Sequence, residues 1–162
     1  KQTINQVIER FENANAKRLQ HGMHFDIWLY CYDNHDWQFM SQDHPVIRRI
    51  ITKPKRLMKP QFMREFITSD IVADYDYVWT WDGDAVLPTS FSPVRYIEIM
   101  KAANIDVSQP SLTDDSQLSY QFNKQSHVHR LATRSSISFK ETLYVELGFM
   151  VFSSPIYQKI FD

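Results

Sequence analysis

Glycine is scarce in this chain. Gly22, Gly83 and Gly148 are the only three in 162 residues. Neither a Gly-rich dinucleotide turn nor a P-loop can be built from isolated glycines. A phosphorylated ligand would need its charge met by a metal ion or by side chains. Cysteine is scarcer still. Cys31 stands alone inside the apolar run 25–32, which excludes a disulfide framework and reads as a small core residue. No apolar run reaches transmembrane length and no signal peptide opens the chain, although a targeting segment lost upstream would leave the same picture. Charge of one sign is not in excess either. Eighteen basic and 19 acidic residues give a formal net charge of -1, with no broad basic field for nucleic acid and no acidic tail. The densest basic stretch, 48–64, is interrupted by Pro54 and Pro60 and reads as a solvated loop and helix face.

What is present is apolar and aromatic: 43% hydrophobic residues and 14% aromatic ones, enough for one domain with a real core. Ile4, Val7, Ile8 and Phe11 recur at helical spacing, predicting an amphipathic helix over 2–20 that Gly22 ends. Residues 25–32 read as a buried strand leaving at Asp33-Asn34, and 46–51 as a weaker strand. Residues 61–72 read as a helix with Phe62, Phe66 and Ile67 turned inward. Residues 77–81 read as a second buried strand. Ser92-Pro93 has the grammar of an N-cap followed by the first helical residue, and 105–108 is a short strand. The polar stretch 113–142 reads as a long surface excursion. Residues 144–152 form the last strong strand, and Ser154-Pro155 repeats the capping grammar. Alternating helices and strands predict an α/β fold, a three-layer α/β/α sandwich with a mainly parallel sheet that holds 25–32, 77–81 and 144–152 together. No internal repeat or domain boundary is visible, so 1–162 reads as one domain.

The most informative stretch is Tyr77-Val78-Trp79-Thr80-Trp81-Asp82-Gly83-Asp84. Its acids follow the strand, at the sheet edge where open α/β folds bind ligands. Two carboxylates there can hold Mn²⁺ or Mg²⁺, with Gly83 expected to allow a tight backbone. The bland alternative is a solvated turn. A second triplet, Asp74-Tyr75-Asp76, shows how readily such spacing arises, and it precedes the strand. Glu146 within an apolar strand is the candidate base, against the alternative of a solvated edge position. Asp33 and Gln109, at two other strand exits, are candidates for nucleotide and sugar hydroxyls. Asp33, Asp82, Asp84 and Glu146 are expected to converge on one sheet edge. His127 and His129 share a face on an extended segment, but surface histidines in a polar loop are the simpler reading. Trp37 and Trp81 could stack on a sugar, against packing at a core or rim. Lys59 is a weak candidate for a diphosphate contact. The His21 and His24 pair lacks a third nearby ligand for zinc.

Several blocks in order resemble the Domain of Unknown Function 707 family, itself similar to a branch of the GT-A glycosyltransferases. They are Tyr75-Asp76-Tyr77 through Asp84, Arg95-Tyr96-Ile97, Val107-Ser108-Gln109-Pro110-Ser111-Leu112, and Tyr144-Val145-Glu146 with Phe152-Ser153. The resemblance runs over nearly the whole chain. Two departures are Gly83, where the family usually has an acid, and Gly148-Phe149, where it tends to have Ala-Pro. The resemblance implies a GT-A-like fold and a metal-dependent transfer of sugar from a nucleotide-diphosphate donor to an acceptor hydroxyl on a glycan or another molecule. Asp82 and Asp84 would hold the metal. It also implies a further strand before Lys1 and further sequence after the last helix, so that the chain is expected to be truncated at both ends. The rivals are a non-catalytic carbohydrate- or nucleotide-binding module of the same fold, and a metal-dependent phosphotransferase or hydrolase.

Overall fold

In a computed structural model, the structure describes residues 2–33, 35–52, 57–83, 85–114, 145 and 148–161. The chain is mixed α/β. It divides into two compact units, Lys1–Ile67 with Asp82–Lys101, and Thr68–Trp81 with Ala102–Asp162.

In the first unit, α1 (Gln2–Ala16) buries Val7, Ile8, Phe11 and Ala14, the stripe that helical spacing predicts. A short helix α2 (Arg18–His21) follows, and Gly22 closes it at φ 72°, a left-handed cap that suits glycine. The side chain of Asn15 then clamps both the N–H and the C=O of Phe25, each at 2.8 Å. Phe11 meets Phe25 edge-on, with ring centres 5.3 Å apart. These contacts fix how the chain approaches β1 (Ile27–Cys31). After α3 (Phe39–Asp43), β2 (Ile47–Thr52) pairs with β1 in parallel register, Leu29 facing Ile50 and Tyr30 facing Ile51. β1 is less buried than its composition suggests. Only Leu29 is buried, and Tyr30 instead lies half-exposed against Phe62 and Phe66. Those rings project from α4 (Lys59–Phe66), which also buries Met63 completely. α6 (Pro93–Ala102) buries Pro93, Ile97 and Met100, and Ser92 Oγ accepts the Arg95 N–H at 3.2 Å, the cap read from the sequence.

In the second unit, α5 (Ser69–Val72) leads to β3 (Tyr77–Trp79). The expected helix over 61–72 is thus two helices. The backbone leaves helical geometry at Ile67 and Thr68. β4 (Val107–Ser108) and β5 (Val151–Ser153) complete a sheet in the order β3-β5-β4, with β5 antiparallel to both neighbours. β3 and β4 therefore run in the same direction, as a βαβ reading requires, but they leave a slot that β5 fills in reverse. Hence the expectation of a single, mainly parallel sheet does not hold among the described residues. The β1–β2 pair is parallel, the other sheet is antiparallel, and 25–32 does not share a sheet with 77–81 or 151–153. A connection as long as 109–150 permits either direction, so chain length does not decide how β5 pairs. Burial follows the pairing: Val151 and Phe152 are buried at the centre, while all of β3 is half-buried.

Phe152 packs edge-on against Tyr157 and Phe161 of α7 (Ser154–Phe161). Ser154 does not cap this helix as expected. Its hydroxyl donates to the carbonyl of Tyr75 and its N–H to that of Asp76, tying α7 to the start of β3. Most of the expected excursion 113–142 lies outside the described residues. No helix among the described residues is long and apolar enough to cross a membrane.

Candidate functional site

The acid-bearing turn begins where β3 loses its regular ladder. Thr80 N–H still donates to Met150 C=O at 2.8 Å. The reciprocal bond has changed hands: Met150 N–H donates to Thr80 Oγ1 at 3.1 Å, and that hydroxyl donates to Met150 C=O at 3.2 Å. A threonine hydroxyl thus replaces a backbone acceptor and ends the strand two residues before Asp82. Trp81 meets Trp79 and Phe149 edge-on, with ring centres 5.8 and 5.4 Å away. Its indole N–H is buried with no hydrogen-bond partner among the described residues. Packing against these rings, rather than an open stacking face, is what the contacts of Trp81 establish.

Asp82 lies past the strand. Its carbonyl accepts the Ala85 N–H at 3.0 Å, so the chain turns at once. Its carboxylate is ion-paired with the Lys59 ammonium of the first turn of α4. The Asp82 side chain is 44% exposed and that of Lys59 24%, so both remain open to solvent. Gly83 is not needed for a tight backbone. Its φ lies outside the left-handed region, and a Cβ there would meet nothing within 4 Å. Asp84 and Glu146 lie outside the described residues, as do His127 and His129.

Asp33 follows β1 in the same unit as Asp82. Its Oδ1 accepts the Trp37 indole N–H at 2.6 Å and the His35 N–H at 3.3 Å. The indole bond, ahead of the backbone one, holds the Asp33 carboxyl below the usual aspartate range, because both donors favour the charged form. His35 lies roughly parallel to Trp37, with ring centres 6.4 Å apart. From Asp33 a row of rings runs toward α4: Tyr32 neighbours Tyr30 at 6.5 Å, and Tyr30 neighbours Phe62 at 4.2 Å. Phe62 stands one turn along α4 from Lys59. Gln109 belongs to the second unit, just past β4, with its amide nitrogen buried.

A hard divalent cation takes oxygen ligands. Asp82 fits that chemistry, being an accessible carboxylate that already attracts a cation. Among the described residues, however, no three His, Cys, Asp or Glu side chains gather to hold a metal. Asp82 therefore fits as one ligand of a set. His21 and His24 are engaged elsewhere. The His21 ring bridges the Ala14 carbonyl at 3.0 Å and the Met23 N–H at 3.0 Å, and His24 meets Asp26 at 3.1 Å. Since Met23 donates to His21 Nδ1, the proton of that ring sits on Nε2. Burial pushes the Cys31 thiol up to about 11, with the Asp33 charge adding to the effect, which favours the protonated thiol at neutral pH.

Sequence reasoning marked Lys59 only as a diphosphate contact and missed its pairing with Asp82. It also missed Thr80 altogether, because a threonine in a β-prone run carries no signal of its own. Comparison with known proteins gives one positive finding. The sequence model described as "Protein of unknown function (DUF707)" matches residues 1–157. No curated protein and no solved structure matches. With that match covering nearly its whole length, the chain belongs to the DUF707 family.

Proposed function

We propose that this chain is a GT-A-like glycosyltransferase domain, a three-layer α/β/α fold. On this reading it transfers a sugar from a nucleotide-diphosphate donor to an acceptor hydroxyl, with Mn²⁺ or Mg²⁺ as cofactor. The observation that carries the reading is Asp82, a solvent-accessible carboxylate at the exit of an apolar β-prone run, ion-paired with the Lys59 ammonium. The order of the sequence blocks shared with the family supports it. Asp82 and Asp84 would hold the cation. The cation supplies neutralisation of the charge that builds on the departing nucleoside diphosphate.

The other roles belong to side chains. Asp33, kept ionised by Trp37, accepts hydrogen bonds from nucleotide hydroxyls. Gln109 offers an amide to sugar hydroxyls. Glu146 takes the proton of the acceptor hydroxyl as its oxygen bonds to the anomeric carbon and the bond from that carbon to the diphosphate breaks.

The test is calorimetric titration with uridine and guanosine diphosphate sugars, with Mn²⁺ and with a chelator. Asp82→Asn and Asp84→Asn should each weaken Mn²⁺-dependent donor binding by at least about tenfold. Asp74→Asn, in the triplet ahead of β3, should leave it unchanged. Equal losses from all three variants, or donor binding indifferent to the chelator, would replace the enzyme with a binding module.

A further inference from the structure

Three contacts define the end of the first unit where β1 and β2 begin. Asn15, in the last turn of α1, holds Phe25 just ahead of β1. The Ile27 N–H donates to the Val46 carbonyl at 2.7 Å, so β2 starts beside β1. Trp28 then pairs with Arg49. The connection from α1 to β1, with Lys17, Arg18 and Leu19, therefore lies at the same end as Arg48 and Arg49.

That end is basic. The strand register slips there: Ile27 faces Ile47, but Trp28 faces Arg49. Arg48 is thus the extra residue of a β-bulge, a device that re-aims side chains. Successive strand residues normally face opposite ways, yet Arg48 and Arg49 are both exposed. The Arg49 guanidinium lies 5.4 Å from the centre of the Trp28 ring, which orients it without neutralising it. Lys17 and Arg18 are exposed as well. Among the described residues, none of these cations is ion-paired. The nearby acids are engaged by histidines: Glu12 meets His44 at 3.2 Å and Asp26 meets His24 at 3.1 Å. Asp43, just before β2, stays exposed and leaves a positive excess. Beside Arg18 stands Leu19, fully exposed at 103%. Charges and a bulge on β2 would guard an open strand edge. That role does not account for a protruding leucine next to two further cations.

We propose that this end of the first unit is a peripheral docking surface for an anionic lipid bilayer. Lys17, Arg18, Arg48 and Arg49 meet the charged headgroups, and Leu19 enters the boundary between headgroups and acyl chains. Trp28 lies at the interface, where indoles are favoured. A bilayer rewards apolar insertion beside cations, which nucleic acid does not. Asp33 lies past the opposite end of β1, roughly 20 Å away at strand spacing, so docking leaves that end to the aqueous phase. The surface is independent of the sugar-transfer reading.

The experiment is co-sedimentation of the purified protein with vesicles of phosphatidylcholine, alone or with about 30% phosphatidylserine. The protein should bind the anionic vesicles and not the neutral ones, and should be released when salt rises from about 0.1 to 0.5 M. Each cation contributes about fivefold, so Lys17→Gln with Arg18→Gln should weaken binding about 25-fold, as should Arg48→Gln with Arg49→Gln. Leu19→Ser should weaken it about tenfold without changing its salt dependence. If the Arg48 and Arg49 double variant does not fold by circular dichroism, the Lys17 and Arg18 pair and Leu19→Ser decide the matter. Equal binding to both vesicles, binding to neither, or anionic binding that these variants retain would overturn the proposal. Binding of polyglutamate or RNA through the same residues, with vesicles ignored, would assign the surface to a soluble polyanion and overturn the bilayer.

Discussion

Replacing Thr80 by valine tests how the acid-bearing turn is held. The two side chains have nearly the same shape, and Thr80 is 7% exposed, so the change removes a hydroxyl without emptying space. Two hydrogen bonds to Met150 go with it. Their losses are unequal. The Met150 carbonyl keeps the Thr80 N–H at 2.8 Å, whereas the Met150 N–H loses its acceptor. An orphaned donor of this kind costs about 1–3 kcal/mol, partly offset by the apolar gain of valine. The net expectation is a loss of about 2 kcal/mol, or a fall of about 4–8 °C in Tm for a chain of this size. Thr80→Ser keeps the hydroxyl and sheds a methyl, and should cost less than Thr80→Val. Urea and thermal unfolding of both variants give the ranking. Amide exchange at Met150 should also accelerate in Thr80→Val and stay slow in Thr80→Ser. If the valine variant is as stable as the wild type while the serine variant is weaker, the methyl matters and the hydroxyl acceptor does not.

Two further outcomes are expected. Trp37→Phe removes the strongest donor to Asp33, so the carboxyl of Asp33 should titrate at higher pH, as followed by NMR. Because its folded-state pKa is depressed, the stabilisation of ionised Asp33 is present above the unfolded-state pKa and lost as pH falls through the folded-state value. The stability gap between wild type and Trp37→Phe should therefore close in acid, and a constant gap would mean packing alone. Cys31, half-buried with its thiol raised to about 11, should react with a disulfide reagent at pH 8 far more slowly than it does in the unfolded chain. Rapid labelling of the native protein would contradict its desolvation.

Local signals were legible in this sequence where local physics decides. The stripe of α1, the left-handed Gly22 and the Ser92 cap all depend on residues within a turn or two of one another. The break between α4 and α5 was missed because Ile67 and Ile71 keep helical spacing across Thr68-Ser69-Asp70, and periodicity does not register a change of backbone at 67 and 68. The positions of β1 to β4 were legible, but the strand expected over 144–152 is a strand only from Val151 among the described residues, and strand partners were not legible. The sequence of β5 is as apolar for an antiparallel centre as for a parallel one, and a long connection permits either direction. The site divides in the same way. A strand ending in acids marks Asp82 from the sequence alone. Lys59 comes to it from 23 positions away, through the placing of α4, which no local pattern encodes. Asp33 was visible as an exit acid, but the indole that fixes its charge was visible only as a candidate stacking face.

The position of β5 between β3 and β4 has a consequence for synthesis of the chain. Both outer strands leave the ribosome before their shared partner, and they are not bonded to each other. Val151 follows Trp79 by about 70 residues, which at roughly 5–20 residues per second is a delay of about 4–14 s. Throughout that interval the Tyr77–Trp79 strand lacks β5, the strand it pairs with among the described residues, and an edge without its partner promotes association between nascent chains. A ribosome stalled shortly before residue 150 would therefore hold out β3 and β4 without the strand they share.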